Sequence, residues 1–281
     1  MKKIELNDLP LWSLWPARLL GLERWNIPSR TIEKVDQEYD KDKYARCFDF
    51  VEKKKFVTPE DIKCYEFGLA LDAQICVSIG NELYKMSLQE ARNLYYKLLL
   101  KEMQDEVIKC KTVVELGTGY GFNLWMMQRY FPNCRFWGGE YSINAIKIAS
   151  YLYRDNPGIK VEFFNFYDEQ TYKALKSLGP PLLLFSSHAI EQLPSSSVFF
   201  RFISKYREHI KVVLHFEPLY EVQDGTLLGL MRRRYTEVND YCRDLLSSVE
   251  SQDYIRVIDL RKNVLGLNPL NPTCVIRWVF R

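Results

Sequence analysis

Val113-Val114-Glu115-Leu116-Gly117-Thr118-Gly119-Tyr120-Gly121-Phe122-Asn123 decides how this chain folds. Two β-branched residues lead into an acid, glycines follow at alternate positions, and an amphipathic stretch then opens. That order predicts a strand, a tight turn and a helix. Glycine can turn the backbone with positive φ and leaves room for a flat ligand against the main chain. Glu115, at the strand end, sits where a carboxylate can meet an amino or hydroxyl group of that ligand. A Gly-x-Gly-x-Gly run alone also fits nicotinamide and flavin sites. Two details narrow the choice. The acid precedes the first glycine, whereas a dinucleotide fingerprint uses its third glycine to bring a helix start to a pyrophosphate. One helix later, Arg135-Phe136-Trp137-Gly138-Gly139-Glu140 reads as a second strand ending in an acid. Its carboxylate would lie beside the first loop, at the height where a ribose diol is gripped.

Outward from this stretch, short β-rich runs alternate with helical patterns from Lys111 onward. The expected strands are Thr112–Leu116, Arg135–Gly139, Lys160–Asn165, Leu182–Ser186, Lys211–Phe216, Tyr254–Leu260 and Thr273–Phe280. Helices fit between them at Asn123–Tyr130, Asn144–Tyr153, Glu169–Ser177, Ser197–Tyr206 and Leu227–Ser247. The alternation implies an α/β fold, a mostly parallel sheet with helices on both faces. The last two strands are joined without a helix, through Leu265 to Pro272, so the seventh should insert antiparallel to the rest.

Residues 1–110 read differently, as a mainly helical N-terminal cap before a catalytic-type domain at 111–281. Trp12, Trp15 and Trp25 belong to an arm that packs on something, and Asp36 to Lys55 is highly charged with Tyr39 and Tyr44 at helical spacing. Thr58-Pro59-Glu60-Asp61 opens a helix that should run through Cys64, Phe67, Leu69, Leu71 and Ile75. Ser87-Leu88-Gln89-Glu90 is a capping box for the next. No alternating strand run stands out in this part.

The pair formed by E-L-G-T-G-Y-G and a strand ending in Glu140 resembles motif I and the following acidic motif of class I S-adenosylmethionine (SAM) methyltransferases. The resemblance covers residues 111–281 and implies a seven-stranded sheet with a terminal antiparallel pair. It implies S-adenosyl-L-methionine as cofactor, bound by Glu115, Gly117, Thr118, Gly119, Gly121, Glu140 and Tyr141. At the third strand end, Phe166 and Tyr167 would flank the adenine, or equally serve as core and rim. Ser187 would complete the cofactor side. Ser186-Ser187-His188-Ala189-Ile190-Glu191-Gln192, after the fourth strand, resembles the H-x-L-E-H/Q element of many such enzymes. His188 and Glu191 either touch cofactor and hold the loop, or take the acceptor proton; histidine suits the latter because it titrates near neutrality. Alternation puts His215 and Glu217 on one side of the fifth strand. Glu217, stopped by Pro218, is then either at the acceptor edge or paired with one of Arg232, Arg233 and Arg234. A cation held by His188, Glu191, His215 and Glu217 is a weaker reading, since Gln192 is a poor ligand; no metal is expected. Asn268 and Asn271 precede prolines and initiate turns, in a loop that overhangs the acceptor.

The composition sets limits. In 281 residues, 47% are apolar and 27% charged, as in a globular protein with a sizeable core. A formal net charge of +3 does not argue for a nucleic-acid surface, and there is no N-P-P-Y or D-P-P-Y element. The runs Lys53-Lys54-Lys55 and Arg232-Arg233-Arg234 read as solvated faces. Seven scattered cysteines without Cys-x-x-Cys favour reduced thiols in a cytoplasm. No signal peptide or membrane span is read. The expected partner is a small-molecule acceptor, with neither nucleic acid nor membrane; a homodimer is one arrangement open to the chain. Resemblance to bacterial sugar O-methyltransferases points to O-methylation of a sugar or other polyhydroxylated metabolite. The alternatives are N-methylation of an amino acid or peptide, and a non-catalytic SAM-binding partner subunit.

Overall fold

The glycine run turns the chain where the sequence requires it. Gly117, Gly119 and Gly121 have φ of +75°, +58° and +81°, and helix Phe122–Gln128 starts directly after them. The computed structural model describes residues 1–26, 29–54 and 56–281. Lys55, the last of the basic run beginning at Lys53, lies outside the described residues.

The strands are β1 (Lys2–Ile4), β2 (Gln74–Ile79), β3 (Glu82–Ser87), β4 (Thr112–Leu116), β5 (Arg135–Glu140), β6 (Ile159–Phe163), β7 (Leu182–Ser187), β8 (Ile210–Glu217), β9 (Ile255–Leu265) and β10 (Thr273–Phe280). Seven of them form one sheet in the order β6-β5-β4-β7-β8-β10-β9. β4 pairs in parallel with β5 and β7, and the outer pairs β5·β6 and β7·β8 are parallel too. β10 lies antiparallel between β8 and β9, as a short connection without a helix demands. This is the sheet implied by the likeness to class I methyltransferases. The strand order reverses between β4 and β7, so a crevice opens outside their carboxyl ends.

Three expectations need correction. β9 continues to Leu265 instead of stopping at Leu260. The polar Arg261-Lys262-Asn263 hid the extension, and a register irregularity opposite Thr273 and Val275 accommodates it, with Asn263 at φ +50°. The helix expected over Leu227–Ser247 is two, Leu227–Val238 and Leu245–Glu250. Asp240 adopts φ +52° and the Tyr241 amide reaches back to Thr236 O at 3.0 Å, a C-terminal cap that ends the first. The arginine run is a solvated face only in part: Arg234 is exposed, whereas Arg232 is not. Arg232 is 1% exposed and its guanidinium donates to Pro269 O (3.1 Å), Asn81 Oδ1 (2.9 Å) and Gly80 O (2.9 Å).

The N-terminal part also departs from expectation. Both helix starts occur as read, with reciprocal capping boxes at Thr58/Asp61 and Ser87/Glu90. Gly68, however, takes φ +63° and ends the first helix at Phe67. Ile75 therefore lies in β2, which turns at Gly80-Asn81 into β3, and β1 adds a third antiparallel strand. Ile75 to Ile79 followed by Gly-Asn is a hairpin signal that the helical pattern obscured. The tryptophans of the arm pack together and onto helix Leu227–Val238, with Trp15 centred 4.8 Å from Trp25 and 4.5 Å from Tyr235.

Cap and sheet share one core. Tyr44, Cys47, Val51, Ile62, Leu99 and Met103 pack with Val113, Leu183 and Leu214 on one face of the sheet. Val114, Leu184, Val213 and Trp278 face the other side, against Phe199, Ile203 and Leu245. Strand alternation divides the neighbouring valines between the two faces. Among the described residues no helix is long and apolar enough to cross a membrane.

A π-helical segment, Gln37–Tyr44, ties the cap to the sheet beside the glycine turn. Its buried Asp40 accepts from Ser142 Oγ (2.6 Å) and the Asn144 amide (2.8 Å) at the start of helix Ile143–Leu152, where a carboxylate also meets the helix dipole. Asp40→Ala should lower unfolding free energy by about 1–3 kcal/mol, because it strands buried donors. Urea denaturation measures this, and an unchanged midpoint would show that the cap is held elsewhere.

Candidate functional site

A cavity of about 460 Å³ lies outside the carboxyl ends of β4, β5 and β7. Its floor contains Glu115, Gly117, Thr118, Gly119, Glu140, Tyr141, Phe166, Tyr167, Ser187, His188 and Glu191. Its roof is the cap, through residues such as Tyr39, Lys43, Tyr44, Lys63, Glu66 and Arg92. Gly121 does not line it. Its φ of +81° begins the following helix, and its carbonyl accepts from the Tyr153 hydroxyl at 3.0 Å.

The turn is built around two buried carboxylates. Glu115 accepts from Thr118 Oγ1 (2.6 Å) and Asn123 Nδ2 (2.7 Å). Glu140 accepts from the amides of Gly119 (2.7 Å) and Ser142 (2.8 Å), which fixes the end of β5 to the bend after β4. Burial pushes the Glu115 carboxyl up to about 7 against those two hydrogen bonds. Burial also raises Glu140, opposed by the two amides. Close packing explains the glycines: a Cβ on Gly117 would run into Ala189, and one on Gly119 into the Tyr44 hydroxyl.

The segment after β7 forms the opposite wall. His188 holds φ +53°, an uncommon conformation for a non-glycine residue. Its amide donates to Phe216 O at 3.0 Å. Its Nδ1 is 3.4 Å from Glu191 Oε1 and its Nε2 is 2.7 Å from Thr273 Oγ1. The ring is 31% exposed and lines the cavity. Burial disfavours its charge, but the carboxylates of Glu191 and Glu217 outweigh this and raise its pKa. Glu191 also accepts from Gln192 Nε2 (3.0 Å) and Asn271 Nδ2 (2.9 Å). Asn268 and Asn271 both line the cavity, and Asn268 Oδ1 in addition accepts the Leu270 amide, as a turn requires.

Glu217 sits elsewhere than expected. It does not line the cavity and pairs with none of Arg232, Arg233 or Arg234. Its carboxylate accepts the amides of Ala189 (2.9 Å), Ile190 (3.0 Å) and Glu191 (3.3 Å) from beneath the loop. The anchoring role weighed for Glu191 thus falls to Glu217. His215 is fully buried against Phe199 and Trp278, hydrogen-bonded to Ser186 Oγ at 2.9 Å, and burial lowers its pKa to about 3. It stays neutral and outside the cavity. Among the described residues no group of three or more His, Cys, Asp and Glu side chains could hold a metal ion.

Sequence reasoning did not choose the cap residues. Tyr95 bonds Ser187 Oγ through its hydroxyl at 2.5 Å. Lys43, Lys63, Glu66 and Arg92 cluster over Tyr120 and Phe122. For Lys43 the signal was the unusual density of charge and tyrosine between Asp36 and Tyr44; Lys63, Glu66, Arg92 and Tyr95 lie outside that stretch.

No family model and no curated protein matches the chain. Among solved structures it is similar to the methyltransferase domain of bacterial CtHen1-C, with 14% identity, 68% of this chain and 98% of that chain covered, and a TM-score of 0.47. It is similar to the pyocyanin biosynthetic protein PhzM at 13% identity, with 69% and 56% covered and a TM-score of 0.49. A geranyl diphosphate C-methyltransferase from Streptomyces coelicolor, solved with S-adenosyl-L-homocysteine, gives 11% identity, 69% and 81% covered, and a TM-score of 0.46.

Removing the Glu217 carboxylate would orphan buried amides of the loop that carries His188. Glu217→Ala should cost about 1–3 kcal/mol, and Glu217→Gln less, since its amide oxygen still accepts. Chemical denaturation of both variants checks the order; equal, negligible losses would mean the loop is held by other contacts.

Proposed function

We propose that this protein is a SAM-dependent methyltransferase acting on a small molecule, with a hydroxyl of a sugar or other polyhydroxylated metabolite as the acceptor. The observation that carries the reading is the Glu140 carboxylate, tied to the Gly119 amide at the mouth of the strand-order switch. The residues suit such a cofactor. Two buried acids await cationic or hydroxyl-bearing partners, the glycine bend admits a flat group, and Tyr141, Phe166 and Tyr167 supply aromatic walls. When bound, SAM supplies an electrophilic methyl group on a sulfonium together with its leaving group.

The chain's own work is then positioning and proton handling. Glu140 and the bend orient the nucleoside, and Glu115 faces the positive charge of the ligand. The cap closes over the strand ends and excludes water. His188 is placed to take the acceptor's proton. With Nδ1–H turned to Glu191, the Nε2 lone pair faces Thr273 Oγ1 and can exchange that partner for an acceptor hydroxyl. Asn268 and Asn271 provide amides that can read further hydroxyls.

Glu140→Ala should weaken S-adenosylhomocysteine binding about 10- to 100-fold by calorimetry, the worth of a charge-assisted hydrogen bond. Undiminished affinity would remove Glu140 from the site. His188→Ala should keep that affinity and slow turnover. Because the raised pKa keeps His188 protonated past the ordinary 6.5, kcat should climb with pH through a value above it, and the variant should lose this limb. Incubation with methyl-labelled SAM and metabolite extracts, read by mass spectrometry with and without chelator, identifies the acceptor. A labelled amine product would replace the O-methylation reading with N-methylation, and no product from any extract would favour a non-catalytic subunit.

A further inference from the structure

Beside the glycine bend, three cations of the cap, Lys43, Lys63 and Arg92, share two cap carboxylates, Glu66 and Glu60. Glu66, whose side chain is 12% exposed, accepts from both Lys43 Nζ (2.6 Å) and Lys63 Nζ (2.9 Å), with the Tyr120 hydroxyl at 3.3 Å. One carboxylate thus serves two ammonium groups. Both lysines hold it well below the ordinary carboxyl range despite burial. Lys43 is locked in place between the rings of Tyr39 and Tyr44, 5.2 Å from each centroid. Lys63 is freer, keeps 24% of its side chain exposed, lines the cavity, and has donors to spare after Glu66.

Beside it, the Arg92 side chain is 2% exposed yet also lines the cavity. Nε donates to the Tyr96 hydroxyl (3.0 Å) and Nη2 to Glu60 (2.6 Å), a half-exposed carboxylate. Among the described residues Nη1 has only the Cys64 thiol, at 3.8 Å. Sulfur is a weak acceptor for a guanidinium, which is shaped to clasp an oxyanion with two parallel bonds. Lys63 Nζ and Arg92 Cζ both lie 5.6 Å from the Phe122 ring, over the end of the glycine bend that Asn123 and Glu115 share. Glu140 stands at the other side of that bend, bonded to Gly119.

We infer that Lys63 and Arg92 hold the carboxylate of the cofactor's amino-acid tail, so that the cap recognises the tail while the glycine bend and Glu140 recognise the nucleoside. The inference rests on the function proposed above and adds a division of labour that the glycine-rich motif does not contain. Glu140, the bend and both cations line one cavity, so a single ligand can lie along all of them. Its carboxylate supplies a third anion to a cluster in which Glu66 and Glu60 serve three cations.

Two probes separate the halves on the intact chain: S-adenosylhomocysteine, which has the tail, and 5′-methylthioadenosine, which does not. By calorimetry, Lys63→Met should weaken S-adenosylhomocysteine about tenfold or more and leave 5′-methylthioadenosine within about twofold. Arg92→Gln should do the same, and Arg92→Lys should recover part of the loss. Should Arg92→Gln fail to fold, Lys63→Met carries the test, since its side chain is partly exposed. Equal weakening of both probes makes the cations structural and overturns the inference, as does no weakening of either. Failure of both probes to bind the unaltered protein overturns the methyltransferase reading as well.

Discussion

The hydrogen bond from the Gly119 amide to the Glu140 carboxylate at 2.7 Å, beside those from the Gly117 and Thr118 amides to Gly139 O, joins the two strand ends on which the cavity is built. It requires a glycine bend after β4 and an acid closing β5, and parallel pairing of those strands brings them side by side. The reversal of strand order between β4 and β7 supplies the opening outside them. Through its Ser142 contact the same carboxylate meets the start of helix Ile143–Leu152, where Asp40 brings in the cap. Bend, sheet and cap therefore converge on one buried acid.

The cap changes what the site is chemically. Glu115 and Glu140 lie buried beneath it, and its Lys63 and Lys43 oppose the effect of burial on the one and the other. Under it, burial raises both, and a ligand with positive charge or hydroxyl donors becomes their natural complement. The loop after β7 is subject to a different constraint. His188 keeps a left-handed backbone because Glu217 grips the following amides and Phe216 O takes its own. Residues that never touch the cavity thereby set the orientation of the histidine that does.

Much of this was legible in the sequence, for definable reasons. The strands of the large sheet are short apolar runs closed by turn residues; Thr112–Leu116, parallel to its neighbours, and Thr273–Phe280, antiparallel to its own, occur as expected. Glu115, Glu140 and His188 announce themselves because each ends or follows a strand at the carboxyl edge of the sheet, where the cavity lies. Other features were not legible. The hairpin at Gly80-Asn81 has a strand pattern too short to overrule the helical run preceding it. Glu217 could not be separated from an acceptor-facing acid, since strand alternation fixes the face of a side chain and not its partner. Arg232 looked like a surface charge because nothing local shows that Pro269, Asn81 and Gly80 surround it. Lys63 and Arg92 come from helices whose capping boxes mark only where they start, and tertiary packing places them over Phe122.

The most direct test is a crystal structure of the protein soaked with S-adenosylhomocysteine. The account predicts density along residues 115–121, with both ribose hydroxyls on the Glu140 carboxylate and the reacting sulfur turned toward His188. Density at another place, or a nucleoside bound there with its sugar away from Glu140, would contradict it.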